Sequence, residues 1–258
     1  MAPAWPLGQF KIWTARHRER CDTGWVRASY GQYCPIARGA EIFAERWTPV
    51  IVRNILLGCE TFTQIQRGAP GISRSLLAQR LAFLEHHGVI ERQVAPGKGG
   101  VTYRPTPAGR ELWNVCEALG TWGARWLELA PEHLDPYVAL WSMCNHLATE
   151  RLPQHRVVVR FDFTRAPARS SRFWLLLEEG RGEVCAKAPG EEDLVVRADP
   201  ERFVRWHAGE LSWRAASAGG AIQVEGASAL ARAFPGWNRR SPFAHIRRAT
   251  TRTAGDSG

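Results

Sequence analysis

The sequence lacks the paired cysteines, long apolar runs and short catalytic motifs that mark several large classes of protein. Its six cysteines are far apart and form no CxxC pair, which argues against a zinc cluster and a dithiol redox motif. No apolar run approaches the length of a membrane span. No GxSxG, Walker or HExxH motif occurs, and His86 and His87 are adjacent, so they project to different faces of a helix. We therefore expect no enzymatic activity, no metal, no cofactor and no membrane partner.

The N-terminal 21 residues also lack features of a secretion signal. They contain no unbroken apolar core and no small-residue cleavage site, so we expect a cytoplasmic chain. In a reducing cytoplasm the cysteines are expected as free thiols. A length of 258 residues is sufficient for two domains, each with its own core.

Positive charge is unevenly distributed along the chain, which has a net charge of +9. Residues 1–130 contain 16 Lys/Arg and 10 Asp/Glu, a net charge of +6. Residues 131–231 contain 12 Lys/Arg and 14 Asp/Glu, a net charge of −2. Residues 232–258 contain 6 Lys/Arg and 1 Asp/Glu, a net charge of +5. The basic surplus therefore lies in the first half and in the tail, as attraction to phosphates would require.

The most informative stretch, residues 61–104, predicts a helix-turn-helix followed by a β-hairpin. Ser73 is placed as the N-cap of the second helix. The core-facing stripe of that helix consists of leucines at i, i+4 and i+7: Leu77, Leu81 and Leu84. Gly88 ends the helix, and the strands VIERQVA and VTYR follow, joined by a glycine-rich tip. A helix-turn-helix with such a hairpin is a winged helix, which most often binds DNA.

Seven residues are predicted to contact double-stranded DNA, five at the second helix and two on the wing: Ser73, Arg74, Ser75, Gln79, Arg80, Lys98 and Arg104. The helix residues would face base edges in the major groove, where arginine can hold a guanine through two hydrogen bonds. The wing residues would contact phosphates or the minor groove. A phosphate contact or simple solvation remains the alternative for each helix residue.

A long helix is predicted from Thr106–Pro107 to Leu129. Its apolar side is predicted to form a dimer interface, because winged-helix regulators bind two-fold operators: Leu112, Val115, Leu119, Trp122 and Trp126. The alternative is that this side packs against the winged helix of the same chain. Helices are also predicted to start at Pro35 and at Thr48–Pro49, the first continuing to Trp47.

The order of these elements, and a set of residues that lie between about positions 30 and 128, resemble the HxlR family of bacterial transcription regulators. The residues that carry the resemblance are Cys34–Pro35, Glu45–Thr48, Ile55–Leu56, Phe62, Ile65, Gly71–Ser73, Leu76–Leu77, Arg80–Leu81, Leu84–Glu85, Gly88–Arg92, Tyr103 and Thr106–Gly109. The resemblance implies a homodimer that binds operator DNA. It also implies that Cys34 could sense oxidants, the alternative being a packed, inert thiol. Phe83 departs from the family pattern, in which this position is usually polar.

The second half of the chain predicts five strands and several helices. The order of these elements resembles the sterol-carrier-protein-like fold over about residues 135–235, which implies a sheet covered by helices and an apolar tunnel. Aromatic residues that could line a ligand pocket there are Phe173, Trp174, Phe203, Trp206 and Trp213. The alternative for each is an ordinary core position.

The predicted fold class is α+β, with an N-terminal winged helix-turn-helix followed by an α+β domain that has a five-stranded sheet covered by helices. We divide the chain into an arm (1–29), a DNA-binding and dimerisation domain (30–130), a sterol-carrier-protein-like domain (135–240) and a basic, disordered tail (241–258). The predicted function is a DNA-binding transcription regulator, with an apolar small molecule as effector in the second domain. The alternative is a lipid or small-molecule carrier whose winged helix mediates protein contacts.

Overall fold

The computed structural model describes residues 29–94, 100–166 and 171–249, and it divides the chain into two units, Met1–Glu41 and Ile42–Gly258. In the first unit, the Glu41 carboxylate accepts hydrogen bonds from Ser29 Oγ (2.8 Å) and Tyr30 N (2.7 Å). These bonds lower the pKa of Glu41, because they stabilise its charged form. Apart from one hydrogen bond at Cys34, all contacts described below lie within the second unit.

The winged-helix part begins with three helices that lead to a fourth, and a hairpin and a long helix follow. Its elements are α1 (Pro35–Phe43), α2 (Thr48–Leu56), α3 (Phe62–Arg67), α4 (Arg74–His86), β1 (Ile90–Val94), β2 (Val101–Pro105) and α5 (Pro107–Trp126). The β1 and β2 strands pair antiparallel, from Ile90 opposite Pro105 to Val94 opposite Val101. The helix-turn-helix and hairpin predicted for residues 61–104 are therefore confirmed.

The second half folds into one sheet with helices packed against it. Its elements are α6 (Pro136–Asn145), β3 (Val157–Phe163), β4 (Arg172–Glu178), β5 (Arg181–Cys185), β6 (Leu194–Ala198), α7 (Pro200–Ala208), α8 (Trp213–Ser217), β7 (Ile222–Gly226) and α9 (Ser228–Trp237). The strand order is β5-β4-β3-β6-β7, with β3 and β6 parallel and the other pairs antiparallel. The predicted five-stranded sheet is confirmed, whereas the short helix α8 was not predicted.

Side chains capping the helix starts explain why most of these helices begin where the sequence predicts. The hydroxyls of Ser73 and Thr106 accept hydrogen bonds from Leu76 N (3.2 Å) and Gly109 N (3.1 Å). The carboxylates of Asp135 and Asp199 do the same at α6 and α7. Each bond satisfies a backbone donor that has no partner inside the helix.

The start of α2 is an exception to this pattern. The sequence places Thr48 as its cap, but the structure puts Trp47 at the cap position, with a φ of 75° and no side-chain cap bond. Thr48 is instead fully buried inside the first turn of α2. The helices α1 and α5 also end earlier than predicted, at Phe43 and Trp126.

Two apolar cores lie in the second unit. The first surrounds α2, α3 and α4 and includes Ile51, Ile65 and Leu77, which are fully buried. The second lies between the sheet and α6–α9 and is rich in aromatic rings. Trp141 belongs to α6 but is buried in the first core, so it joins the two parts. Among the described residues, no helix has both the length and the hydropathy needed to cross a membrane.

Candidate nucleic-acid interface

The helix α4 is held in place by its three leucines, as the spacing predicts. Leu77, Leu81 and Leu84 are at most 1% exposed and pack into the first core. The Ser73 hydroxyl fixes the start of the helix, and Gly88, with a φ of 66°, allows the chain to turn into β1. Because the inner face is fully packed, the residues on the outer face of α4 are presented on a rigid support.

The outer face of α4 carries small and polar side chains. Ser75 and Gln79 are exposed, as predicted. Ala78 and Ala82 are also exposed on this face, each three residues after one of them. The two alanines were not recognised from the sequence, because alanine carries no group that signals a contact. Their small size lets a flat surface approach the helix backbone closely, and a methyl group can pack against the methyl of thymine.

Arg74 lies at the first position of α4, where its guanidinium stacks over the ring of Phe62 at 5.0 Å. This cation–π contact directs the Arg74 side chain toward the start of α3. The Ser73 hydroxyl is 3.1 Å from that of Ser75 and caps the helix, so it is already engaged within the protein. Arg74, Ser75 and Gln79 are exposed at one end of α4 and along its outer face.

The prediction that Arg80 lies on this outer face is wrong. Only 8% of the residue is exposed, and its Nη2 atom forms an ion pair with Glu45 Oε2 at 2.9 Å. The reason is helical geometry, since position 80 falls beside Leu77 and Leu84 on the inner face of the helix. Arg80 therefore joins α4 to the segment between α1 and α2 and is not positioned to reach a base.

The wing residues are placed less completely. Arg104 is exposed on β2, and its Nε atom forms an ion pair with Glu60 at 3.1 Å, which partly neutralises it. Lys98 lies outside the described residues, so its predicted DNA contact stays a prediction. Arg92 is exposed on β1, opposite Tyr103, and adds a cation that the sequence did not single out.

The predicted dimer residues of α5 fall on two sides. Leu112 is half-buried and packs on the first core, which agrees with the alternative of packing within the chain. The other four residues have 45% to 55% of their surface exposed to solvent. Their spacing of i, i+4, i+7 and i+11 puts them on one face of the helix: Val115, Leu119, Trp122 and Trp126. We call these four residues the α5 stripe. A contiguous apolar surface of this kind is typical of a protein–protein contact.

Two further residues singled out from the sequence are Cys34 and Phe83. Cys34 is partly exposed directly before the first turn of α1, and its carbonyl accepts a hydrogen bond from Arg38 N (3.0 Å). Phe83 is buried, and its ring lies 4.2 Å from that of His87. Phe83 thus lies at the C-terminal end of α4, away from the outer face.

The thiols of the second unit are poorly suited to redox chemistry. Burial raises the pKa of Cys59 to about 11 and that of Cys144 to about 12, and it also raises the pKa of Cys116 and Cys185. These thiols stay protonated at neutral pH and are therefore weak nucleophiles. Within the described ranges, no group of three or more His, Cys, Asp or Glu is arranged to hold a metal ion.

The aromatic residues proposed for a pocket in the second domain mostly form its core. Phe203 and Trp206 are at most 2% exposed, with ring centroids 5.7 Å apart, and Trp213 lies 4.8 Å from Trp206. Phe173 is also buried, 5.1 Å from Tyr137. These four residues therefore follow the alternative of core packing.

Trp174 is separated from the other four, because successive residues of β4 face opposite sides of the sheet. Its indole N–H donates to Glu192 at 2.9 Å on the outer side, where Glu192 also pairs with Arg160. The prediction that Trp174 shares a pocket with Phe173 is wrong for this reason.

Comparison with known proteins identifies the relationship of the first half. The model of the HxlR-like helix-turn-helix family matches residues 42–131. The HTH-type transcriptional regulator YvaP of Bacillus subtilis is 30% identical over 106 residues, which are 40% of this chain and 96% of that protein. The regulator sll1512 of Synechocystis sp. is 34% identical over 99 residues, 38% of this chain and 73% of that protein.

Among solved structures, the reduced form of the regulator YodB from Bacillus subtilis is 32% identical and covers 36% of this chain and 92% of that chain, with a TM-score of 0.33. YvaP is matched over nearly its whole length at an identity that supports common descent. The chain therefore belongs to the HxlR family of helix-turn-helix proteins.

Proposed function

We propose that this HxlR-family transcription regulator binds operator DNA as a homodimer, with the outer face of α4 in the major groove. The observation that carries the proposal is the exposed row of Ser75, Ala78 and Gln79 on a helix whose opposite face is fully packed. Gln79 can hydrogen-bond to adenine through its amide, and Ala78 leaves room for the helix to approach the bases. Arg74, at the N-terminal end of α4, is positioned to reach a guanine or a phosphate.

The electrostatic balance of the chain supports this proposal. Residues 1–130 carry a net charge of +6, whereas residues 131–231 carry −2. Around α4, Arg74 and Arg92 have no carboxylate partner among the described residues, and Arg104 is only paired at the surface. An exposed ion pair is weak, so Arg104 can exchange Glu60 for a phosphate at little cost.

The α5 stripe supports the dimer. Two copies related by a two-fold axis would bury Trp122 and Trp126 against the same residues of the partner, because a two-fold interface is self-complementary. The two α4 helices would then enter successive major grooves about 34 Å apart. Each half-site of the operator would therefore mirror the other.

The test is DNA binding by fluorescence anisotropy, with a duplex from the region upstream of the protein's own gene and a scrambled duplex of equal composition. We expect the upstream duplex to bind at least about 10³-fold more tightly, and both affinities to fall steeply between 50 and 200 mM salt. Equal affinity for the two duplexes at every salt concentration would contradict the proposal.

Variants separate the two kinds of contact. Gln79→Ala is expected to reduce discrimination between the duplexes by about 10- to 100-fold, since it removes hydrogen bonds to a base. Arg104→Ala is expected to weaken binding to both duplexes alike and to reduce the salt dependence. Arg232→Ala, a change of the same charge on α9, serves as the matched control and should leave both affinities unchanged.

The oxidation response predicted for Cys34 needs a test of its own. Operator binding is measured after diamide treatment in the wild type and in Cys34→Ser. A response that depends on Cys34 would be absent from the variant, and an identical loss in both proteins would assign Cys34 to the inert alternative.

A further inference from the structure

A cavity of about 310 Å³ lies where the winged helix meets the second domain. Its walls come from α2, α5, α6 and residues 241–243, and they are mainly apolar, with Val50, Leu57, Trp113 and Phe243 among them. We call it the junction cavity. Its volume falls at the lower end of the range for small-molecule sites, which suits a ligand of one or two fused rings.

Among the described residues, the wall of this cavity contains one arginine, Arg53, and one histidine, His146. The neighbours of its guanidinium are neutral: Nε and Nη2 donate to Asn54 Oδ1 (3.1 and 2.8 Å), and Nη2 also donates to the carbonyl of Gly68 (2.9 Å). The guanidinium lies 5.1 Å from the ring centroid of Trp141. In the described parts of the chain, no Asp or Glu forms an ion pair with it.

A largely buried guanidinium without a counter-ion is unfavourable, because its charge loses hydration that neutral acceptors restore only in part. Burial accordingly lowers the pKa of Arg53. The acidic residue in the cavity wall is Glu117, which is exposed on α5. The cavity therefore offers an unneutralised cation to a small anion and apolar walls to the rest of that molecule.

We propose that the junction cavity binds an aromatic carboxylate, with its carboxylate on Arg53 and its ring among Trp113, Leu57 and Phe243. A planar carboxylate matches the fork of N–H donors on a guanidinium, and flat apolar rings match aromatic walls. The inference rests on the proposed function and deepens it, since it names the chemical class of the effector. It also moves the effector site from the aromatic core of the second domain to the junction.

Contacts of Arg53 connect the cavity to the DNA-binding helices. Asn54, which accepts two bonds from Arg53, donates from Nδ2 to the carbonyl of Ile65 (3.0 Å) in α3. Arg53 itself holds the carbonyl of Gly68 at the end of α3. A carboxylate that draws the guanidinium away would loosen the hold on α3, which supports α4. The ligand is therefore expected to weaken operator binding, by about 10-fold for a coupling of ordinary size.

The far wall of the cavity is also well defined. A Cβ atom on Gly120 would lie 2.2 Å from Cζ of Phe243, so the ring of Phe243 sits directly over the α5 backbone. The residues after α9 are tethered by the bond from Ser241 N to the carbonyl of His207 (2.8 Å). A ligand in the cavity would thus contact both halves of the second unit at once.

Binding is tested by calorimetry on the full chain with 2-naphthoate and its neutral analogue 2-naphthamide. We expect the carboxylate to bind about 10- to 100-fold more tightly than the amide, as a charge-assisted bond in place of a neutral one would give. Arg53→Gln should abolish this preference. Val50→Phe, which fills the apolar part of the cavity, should abolish binding of both compounds.

Arg214→Gln is the matched control, because it removes an exposed arginine on α8 and should leave both affinities unchanged. Folding of each variant is to be checked by circular dichroism. If Arg53→Gln fails to fold, the wild-type comparison of carboxylate with amide and the Val50→Phe variant still decide the question. Equal binding of the two compounds by the wild type, or no binding of either, would overturn the proposal.

The effect on DNA is measured separately, with operator affinity determined in the presence and absence of 2-naphthoate. A loss of affinity in the wild type but not in Arg53→Gln supports the coupling, and an unchanged affinity overturns it. A chain that binds its operator but not 2-naphthoate would refute this inference and leave the proposed function intact. A chain that binds 2-naphthoate through Arg53 but shows no DNA preference would refute the proposed function instead.

Discussion

His207 shows how a single titratable residue can make the stability of this fold depend on pH. It is 4% exposed at the end of α7, where Nδ1 lies 2.9 Å from Asn238 Oδ1 and Nε2 lies 2.9 Å from Ser142 Oγ. The Asn238 oxygen also accepts a bond from Arg240 N, so Nδ1 of His207 is the donor and Nε2 accepts from the Ser142 hydroxyl. A neutral ring satisfies both partners. Burial lowers the pKa of His207 to about 4.

The free energy of unfolding should therefore fall in acid. His207 titrates near 6.5 in the unfolded chain, so its contribution is complete above that pH and is lost as the pH falls toward 4. At pH 5 the loss is about 2 kcal/mol, at 1.36 kcal/mol per pH unit. The loss is measured as the difference between the free energies of urea unfolding at pH 7.5 and at pH 5. His207→Gln should reduce the acid loss, and His155→Gln, at an exposed site, should not. The same loss in His207→Gln and the wild type would contradict this assignment.

Gly68 is a second position where a single added carbon atom is expected to change the stability of the fold. A Cβ atom there would lie 2.5 Å from Asn54 Nδ2 and 2.5 Å from Cζ2 of Trp141. Gly68→Ala should therefore lower the free energy of unfolding by about 1–3 kcal/mol, as overpacking of a filled site usually does. Gly123→Ala in α5 is the control, because its Cβ would meet no atom within 4 Å. The control should stabilise the protein by up to about 1 kcal/mol, as denaturant titrations of both variants would show. An equal gain in both would contradict the packing described at Gly68.

At the scale of elements, the α5 stripe carries the prediction of dimerisation. Trp122→Glu places a charge at the centre of an apolar face, so it should shift the protein from dimer to monomer in sedimentation velocity runs. Asn114→Glu adds the same charge on another side of α5 and should leave the dimer intact. A wild-type chain that is monomeric at micromolar concentration would contradict the proposed interface, as would a dimer that is insensitive to Trp122→Glu.

Elements were predictable wherever local chemistry decides their limits. Ser73, Thr106, Asp135 and Asp199 mark helix starts because their side chains can cap the backbone without help from the rest of the fold. The start of α2 was not predictable, because burial of Thr48 moves the cap to Trp47. That burial depends on tertiary packing, which a local pattern does not contain.

The same distinction explains which site residues were found. Ser75 and Gln79 followed from helical periodicity, which places them opposite the leucine stripe. Arg80 lies at the edge of the inner face by periodicity, next to Leu77 and Leu84, and its contact with Glu45, 35 residues away in sequence, shows that its charged end is held within the fold. Arg53 was not recognised at all, since its significance depends on a cavity formed by segments up to 190 residues later in the chain.

At the scale of the whole molecule, the contacts that join the two parts of the second unit include one large buried side chain and one exposed ion pair. Trp141 of α6 is 8% exposed within the winged-helix core, where it packs beside Arg53 and Gly68. The ion pair joins Arg67 of α3 to Glu183 of β5 at 3.0 Å, with both side chains about half exposed. Exposed ion pairs contribute at most about 1 kcal/mol, whereas truncating a buried tryptophan costs about 3–5 kcal/mol.

Trp141 should therefore account for most of the coupling between the winged helix and the sheet. Trp141→Ala is expected to destabilise the chain and to split its calorimetric unfolding into two transitions, because each part keeps its own core. Glu183→Gln, which breaks the ion pair, should leave a single transition that is shifted by no more than a few degrees. The opposite pattern, with unfolding split by Glu183→Gln and unchanged by Trp141→Ala, would show that charge at the surface joins the two parts. If Trp141 does join them, an effector in the junction cavity acts directly beside the contact that couples the second domain to the DNA-binding helices.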